Sequence, residues 1–205
     1  MIYALPGMGA DSAMYPQPWP TLLAITLVDW PAYAGEESIA AVARRIIEVA
    51  RIPDGAVVIG SSFGGFVACE IAKHRRLRRL ILLGSATRKE EINGVLRLLH
   101  PLARVAPIKF FQRIIGWFPG EIARMLSRSE AAFVRAMCRA TFEWPGLDEG
   151  LIKPLRIHGR KDLLIPPPPD ADLLVDGRHM IAMTNASECV EFIRADLEDR
   201  GGLCN

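Results

Sequence analysis

The chain is predicted to adopt an α/β fold built around a mostly parallel sheet. Short apolar segments alternate with segments of helical periodicity along its 205 residues, as expected when helices connect the strands of a parallel sheet. The apolar segments lack a polar–apolar alternation, which indicates strands covered by helices on both faces. Half of the residues are hydrophobic and 23% are charged, a composition typical of a folded globular domain.

Six strands and three core helices follow from this pattern. The first apolar segment ends at Pro6-Gly7 and the second at Asp29, and such residues mark turns. Apolar residues repeat at helical spacing between residues 36 and 51, and Pro53 with Gly55 marks the end of that helix. The predicted strands are residues 2–5, 25–28, 56–59, 80–83, 155–158 and 172–175, and the predicted helices are residues 36–51, 64–74 and 187–197.

The segment between the fourth and fifth strands has a different amino-acid pattern. Residues 88–150 carry apolar side chains at helical spacing, such as Leu96, Leu99 and Leu102, and prolines interrupt the series. We interpret this stretch as several helices inserted into the core, which then consists of residues 1–87 and 151–205. An ordinary helical subdomain would satisfy the pattern, but the place of the insertion favours a cap over a site.

Composition gives no support to several classes of partner and cofactor. The formal net charge is +2, so it offers no argument for nucleic acid or an acidic surface as partner. The four cysteines form no CxxC pair, which argues against a zinc site and a disulfide framework and suits a reducing cytosol. No signal peptide or membrane span is visible. We therefore expect a cytoplasmic protein without a membrane span, with no metal and no cofactor.

One short motif combines a candidate nucleophile with the local structure that it requires. Between the third strand and the following helix stand Gly60-Ser61-Ser62-Phe63-Gly64, which match G-x-S-x-G. In this strand–turn–helix setting the serine occupies a tight turn that exposes its hydroxyl above the sheet edge, and small flanking residues let the backbone fold back on itself. The motif therefore predicts Ser62 as a nucleophile.

A serine hydroxyl needs a base, and the base needs an orienting acid. Asp162 follows the fifth predicted strand, and His179 lies between the last strand and the closing helix. The carboxyl ends of parallel strands meet at one edge of the sheet, where ligands bind. We therefore predict that Ser62, Asp162 and His179 meet at this edge as a catalytic triad.

An oxyanion formed during acyl transfer needs hydrogen-bond donors, which backbone amides supply. The amide of Phe63, next to the nucleophile, is one candidate. The loop after the first strand reads Leu5-Pro6-Gly7-Met8-Gly9, and we predict the Met8 amide as the second donor. Read alone, Pro6-Gly7 would be an ordinary turn. Trp30 follows the second strand on the same edge, where we expect a structural role.

One histidine-containing pair offers an alternative interpretation. His158 and Asp162 superficially resemble a metal pair, but no further ligand cluster accompanies them. We expect His158 to make structural hydrogen bonds near the site instead.

Together, Leu-Pro-Gly-Met-Gly, Gly-Ser-Ser-Phe-Gly-Gly, Ile-His-Gly-Arg-Lys-Asp and Gly-Arg-His-Met resemble the α/β-hydrolase superfamily over nearly the whole chain. The resemblance implies a triad of Ser62, His179 and Asp162, oxyanion amides from Met8 and Phe63, and a cap at residues 88–150. The antiparallel strand pair that opens the common fold has no room before Ile2. We therefore expect a reduced α/β-hydrolase fold of about six strands, in the order 2-1-3-4-5-6 and flanked by helices.

The predicted activity is hydrolysis of a small or medium hydrophobic carboxylic ester through an acyl-enzyme. The partner is then a small-molecule ester or thioester. A thioesterase or acyltransferase would use the same triad, and an enzyme that cleaves carbon–carbon bonds or cyanohydrins could also keep Ser62. A ligand-binding protein that retains the fold without turnover is the alternative outside catalysis. The fold does not identify the substrate.

Overall fold

The core of the protein is a six-stranded sheet in which every strand pair is parallel. A computed structural model describes residues 1–94, 121–148 and 150–200. Within them the strand order is β2-β1-β3-β4-β5-β6, so the predicted fold class and strand order are confirmed. The strands are β1 (Ile2–Leu5), β2 (Ile25–Leu27), β3 (Val57–Ser61), β4 (Arg79–Leu83), β5 (Leu155–Gly159) and β6 (Leu173–Val175).

Burial follows the position of each strand in the sheet. All residues of β1, β3, β4 and β5 are buried, whereas the edge strands β2 and β6 are partly exposed. The central strands therefore need apolar side chains on both faces, which explains the absence of alternation in the sequence. β3 continues to Ser61, beyond its predicted end, and carries the chain directly to Ser62.

Six α-helices lie within the described residues. They are α1 (Ile39–Val49), α2 (Phe63–His74), α3 (Glu121–Arg128), α4 (Ala131–Glu143), α5 (Ile181–Thr184) and α6 (Ala186–Asp199). The prediction started α1 three positions too early. Ser38 adopts an extended backbone and its Oγ accepts a hydrogen bond from the Ala41 amide, so Ser38 is the N-cap and ends the preceding loop.

Helices and loops cover both faces of the sheet with separate apolar clusters. On one face, α1, α2 and α4 pack on the central strands. On the other face, α6 and the segment 14–22 pack on the same strands. Trp19 is buried in the second cluster, and its indole N–H donates a hydrogen bond to the Ala182 carbonyl at 2.7 Å. The sheet is thus buried on both sides, and its carboxyl edge carries the loops that form the site.

The predicted insert is described in part. Residues 95–120 and 149 lie outside the described residues, and with them Leu96, Leu99 and Leu102. The described part contains α3 and α4. Phe133 and Met137 of α4 are buried in the same cluster as α2, so this end of the insert packs directly on the core. None of the helices in the described ranges is long and apolar enough to cross a membrane.

Candidate active site

Ser62 occupies a sharp turn between β3 and α2. Its backbone angles are φ 51° and ψ −119°, and a positive φ is unfavourable for a residue with a Cβ. Such strain persists only where surrounding packing holds it, and it is found at functional sites. The turn brings the Ser62 side chain to the wall of a cavity at the carboxyl edge of the sheet.

Three glycines make this turn sterically feasible. A Cβ on Gly60 would lie 2.3 Å from the Gly64 carbonyl oxygen, and one on Gly64 would lie 2.4 Å from the carbonyl oxygens of both Leu5 and Pro6. A Cβ on Gly65 would lie 2.1 Å from Ser85 Oγ. The motif glycines therefore let β3, the start of α2 and the loop after β1 meet at backbone distance.

Asp162 lies in the turn after β5 and is buried, with 3% of its surface exposed. Its Oδ1 accepts hydrogen bonds from the amides of Leu164 (2.9 Å) and Ile165 (3.1 Å). These two bonds fix the carboxylate plane, and Oδ2 is left facing His179. The orientation of the acid is thus determined by the backbone that immediately follows it.

His179 connects Asp162 to Ser62. It lies in the loop between β6 and α5, and 14% of its side chain is exposed. Its Nδ1 is 2.8 Å from Asp162 Oδ2, and its Nε2 is 2.8 Å from Ser62 Oγ. The three predicted residues, which come from three separate loops, thus form one continuous hydrogen-bonded series.

Gly84, directly after β4, lies beside the predicted acid and base, and the sequence did not predict this position. Its φ is +51°, and a Cβ there would lie 3.0 Å from the His179 carbonyl oxygen and 3.4 Å from Asp162 Oδ2. The absence of a side chain therefore makes room for the Asp162–His179 pair. A glycine directly after a buried strand was the available signal, but it also fits an ordinary turn.

The two residues predicted to supply the oxyanion amides lie next to Ser62, one along the chain and one along the cavity wall. Phe63 is the first residue of α2, and the first amides of a helix have no acceptor within the helix. Met8 lines the same cavity as Ser62 and His179. The loop that carries Met8 passes close to the nucleophile, since a Cβ on Gly7 would lie 3.6 Å from Ser62 Cβ.

The cavity beside Ser62 has a volume of about 280 Å³ and an apolar wall. Four of the chain's seven methionines contribute to it. Methionine side chains are flexible and polarisable, so they adapt to occupants of irregular shape. The lining residues are Gly7, Met8, Ala10, Met14, Ser62, Met125, Leu164, His179 and Met180.

The expectation that His158 makes structural hydrogen bonds is wrong for the described part of the chain. His158 is fully buried in β5, and neither ring nitrogen has a hydrogen-bond partner there. Burial, together with the nearby charge of Arg156, lowers the pKa of His158 from 6.5 to about 4. His158 is thus a neutral core residue. The described residues also contain no group of three or more histidine, cysteine or acidic side chains that could hold a metal ion.

The fold is widely shared among solved structures. The chain is similar to a thermophilic esterase from Thermogutta terrifontis (malate bound), with 19% identity, a TM-score of 0.73, and coverage of 98% of this chain and 90% of that chain. It is similar to a hydrolase from Oleispira antarctica, with 17% identity, a TM-score of 0.73 and coverage of 94% and 90%. It is also similar to the enol-lactonase from Burkholderia xenovorans LB400, with 18% identity, a TM-score of 0.71 and coverage of 96% and 90%.

None of the curated protein sequences compared with the chain is a significant match. At identities below 20%, the structural similarities bear on the fold alone. A family model is decisive, because the model of the alpha/beta hydrolase family matches residues 2–196. The predicted resemblance is therefore confirmed, and the chain belongs to the alpha/beta hydrolase family.

Proposed function

We propose that this protein is a serine hydrolase that cleaves small or medium hydrophobic carboxylic esters through an acyl-enzyme. One observation carries the proposal. Ser62 Oγ, the His179 ring and the Asp162 carboxylate form a continuous hydrogen-bonded series with both contacts at 2.8 Å, and the series opens into an apolar cavity. This is the arrangement that activates a serine hydroxyl for acyl transfer.

In the first half of the reaction Ser62 becomes acylated. Its Oγ attacks the ester carbonyl carbon while His179 Nε2 accepts the hydroxyl proton. The tetrahedral intermediate then collapses, the carbon–oxygen bond to the alcohol breaks, and the alcohol leaves with the proton from Nε2. The products of this half are the free alcohol and an ester between Ser62 and the acyl group.

Asp162 holds His179 in the orientation that this transfer needs. A carboxylate beside Nδ1 keeps the proton on that nitrogen, so Nε2 is free to act as base, and it stabilises the imidazolium that forms. Oδ1 is occupied by the Leu164 and Ile165 amides, which leaves Oδ2 for the histidine. Burial of the carboxylate strengthens its electrostatic effect, since the local dielectric constant is low.

The negative charge that develops on the carbonyl oxygen is stabilised by the amides of Met8 and Phe63 in this proposal. Donors that are already oriented toward the oxyanion need no reorganisation during the reaction, and each contributes strongly to the rate. The Phe63 amide is also at the N-terminus of α2, where the helix dipole favours negative charge.

In the second half, water hydrolyses the acyl-enzyme. His179 Nε2 removes a proton from the water as its oxygen attacks the acyl carbon, and the same two amides stabilise the second oxyanion. Collapse of this intermediate returns the proton to Ser62 Oγ and releases the carboxylic acid. The enzyme is then regenerated without any cofactor.

The cavity supports the substrate class. Methionine and leucine side chains form most of the wall around Ser62 and His179, and an apolar acyl or alcohol group gains free energy when such surfaces exclude water. A volume of about 280 Å³ suits a small or medium group. Among the similar solved structures, one is named an esterase and another an enol-lactonase.

The helical insert at residues 88–150 serves as a cap in this proposal. Met125 of α3 belongs to the insert and contributes to the cavity wall beside Ser62. Phe133 of α4 packs against Phe63 with ring centroids 5.8 Å apart. Both contacts support a cap that shapes the acyl or alcohol pocket from above the sheet edge.

Hydrolysis of p-nitrophenyl esters of graded acyl length tests the proposal. Ser62→Ala should lose activity by about 10⁴-fold or more, because its nucleophile is gone. Ser61→Ala is the matched control. Ser61 is the neighbouring serine, fully buried, and its Oγ has no partner in the described part of the chain. This control should retain the activity of the unmodified protein. Equal ester hydrolysis by Ser62→Ala and Ser61→Ala would refute Ser62 as nucleophile.

Two further measurements separate the alternatives. A fluorophosphonate probe should label the unmodified protein and Ser61→Ala but not Ser62→Ala, whereas a ligand-binding protein without an activated serine would not react at all. Matched thioesters and oxygen esters should be compared at each chain length. A higher kcat/KM for the thioester throughout the panel would favour a thioesterase over an esterase.

A further inference from the structure

The peptide group between Gly7 and Met8 is held from its carbonyl side. The Gly7 carbonyl oxygen accepts two hydrogen bonds, one from the indole N–H of Trp30 at 3.0 Å and one from the Ala10 amide at 3.1 Å. The same peptide plane carries the Met8 N–H, which points in the direction opposite to the carbonyl because the peptide is planar and trans. Holding the carbonyl therefore also determines the direction of the Met8 amide.

The indole of Trp30 is itself held in place by aromatic contacts. Its ring centroid lies 5.4 Å from that of Phe63 and 5.7 Å from that of Phe133, both within the range of favourable aromatic pairs. Phe63 and Phe133 are buried, so the indole cannot turn without disturbing the core. Its N–H is thus directed at the Gly7 carbonyl by packing rather than by the hydrogen bond alone.

Trp30 consequently touches both halves of the predicted oxyanion site. It donates to the peptide that carries the Met8 amide, and its ring packs on the side chain of Phe63, whose amide is the other donor. The Gly7 amide is fixed as well, since it donates to Met14 Sδ at 3.2 Å. The loop thus has no free rotation about this peptide while these contacts persist.

We propose that Trp30 is a positioning residue for the oxyanion site, which orients the Met8 amide toward the developing charge and sets its separation from the Phe63 amide. The inference rests on the proposed serine hydrolase function. Donation to the Gly7 carbonyl also polarises the peptide, which makes the Met8 N–H a stronger donor. Such a residue acts in the transition state and contributes little to binding of the neutral substrate.

A merely structural role predicts a different result. Two other indoles in the chain donate hydrogen bonds inside the core, Trp19 to the Ala182 carbonyl and Trp144 to Glu70 Oε1, each at 2.7 Å. Loss of an indole N–H of that kind lowers the free energy of unfolding but leaves kcat and the binding of tetrahedral adducts unchanged. A positioning role instead lowers kcat and weakens binding of tetrahedral adducts.

Trp30→Phe removes the N–H donor and keeps an aromatic ring, and Trp144→Phe is the matched control at a site away from the cavity. Both variants should be assayed with the best p-nitrophenyl ester, with active sites counted by fluorophosphonate labelling. For Trp30→Phe we expect kcat to fall by about 10- to 100-fold, with KM within a factor of about two. The affinity for an alkyl boronic acid, which forms a tetrahedral adduct with serine, should fall by a similar factor. Trp144→Phe should match the unmodified protein in all three quantities.

The outcomes separate this inference from the proposed function. If Trp30→Phe keeps the kcat and boronic acid affinity of the unmodified protein while Ser62→Ala is inactive, Trp30 has no positioning role and the hydrolase proposal stands. If Ser62→Ala is fully active, both fall. If Trp30→Phe does not fold, benzothienylalanine at position 30 replaces the N–H by sulfur in a ring of nearly the same shape. A normal kcat in that variant would overturn the inference.

Discussion

The buried imidazole of His158 should make the protein less stable in mild acid. His158 is fully buried in β5 without a hydrogen-bond partner among the described residues, and its pKa is lowered from 6.5 to about 4. Burial is the main cause and the charge of Arg156 adds to it, while Asp162 and Glu91 act in the opposite direction. His179 also lowers the pKa slightly.

The magnitude follows from the two pKa values. Between pH 6.5 and pH 4 the unfolded chain binds a proton at this histidine and the folded protein does not, so the free energy of unfolding rises with pH across that window. Above pH 6.5 the free energy of unfolding is not reduced by His158, and it falls as the pH drops from 6.5 toward 4. One pKa unit corresponds to about 1.4 kcal/mol, so His158 lowers the stability by about 2 kcal/mol from pH 7 to pH 5 and by about 3 kcal/mol at pH 4.

Urea denaturation at pH 7, 6 and 5, at constant ionic strength, measures this effect. The rest of the protein also contributes to the pH dependence, so the informative quantity is the difference between variants. Leucine at position 158 has a volume similar to that of histidine and does not titrate. Between pH 7 and pH 5, the free energy of unfolding of His158→Leu should therefore fall by about 2 kcal/mol less than that of the unmodified protein. His74→Leu is the control, because His74 is exposed at the end of α2. Its pH dependence should follow that of the unmodified protein.

An equal pH dependence in His158→Leu and the unmodified protein would refute this reasoning. A histidine NMR titration of the folded protein gives an independent check, since the signal lost in His158→Leu should remain that of the neutral ring down to about pH 5. A signal at position 158 that titrates near pH 6.5 would show that the ring is solvated or paired in the folded state.

Two further predictions concern the site. Asp162→Asn should preserve the fold but lower kcat by about 10³- to 10⁴-fold, since an amide no longer holds the productive histidine tautomer; steady-state kinetics test this, and an unchanged kcat would remove Asp162 from the triad. Gly65→Ala should lower the free energy of unfolding by about 1–3 kcal/mol, because the new Cβ would lie 2.1 Å from Ser85 Oγ and 2.5 Å from Ser85 Cβ. Ser85→Gly by itself removes the hydrogen bond from Ser85 Oγ to the Ser62 carbonyl, so the loss is compared within each background. By urea denaturation, Gly65→Ala should cost less stability in Ser85→Gly than in the unmodified protein, and an equal cost would mean that this contact is not the cause.

Much of the architecture could be predicted because it depends on local patterns. A strand that is buried on both faces has an uninterrupted apolar sequence, and the buried side of α1 has apolar residues that repeat at helical spacing. The G-x-S-x-G segment likewise specifies a local conformation, since the positive φ of Ser62 and the crowding of Gly60 against Gly64 and Gly65 arise within a few residues of one another. Element ends were less accurate, because capping contacts such as that of Ser38 decide them.

Contacts between residues far apart in the chain could not be predicted from local patterns. Ser62 and His179 are 117 positions apart and Asp162 is 17 positions from His179, so their 2.8 Å contacts depend on the order of the strands and on the loops that follow them. The prediction that the three meet as a triad rested on their shared edge of the sheet, their order along the chain and the family resemblance, none of which gives a distance. Their catalytic roles stay predictions until the variants are assayed.

By itself, the sequence determined the fold class and the candidate residues Ser62, Asp162 and His179, because burial patterns and turn chemistry are local properties, and the resemblance to the α/β-hydrolase superfamily supplied the strand order. Only the tertiary structure decided what surrounds them. Gly84 leaves room for the acid–histidine pair, and the indole of Trp30 reaches the Gly7 carbonyl from another loop. Contacts of this kind join residues that no local pattern relates, and they arise only when the packed sheet brings its loops together.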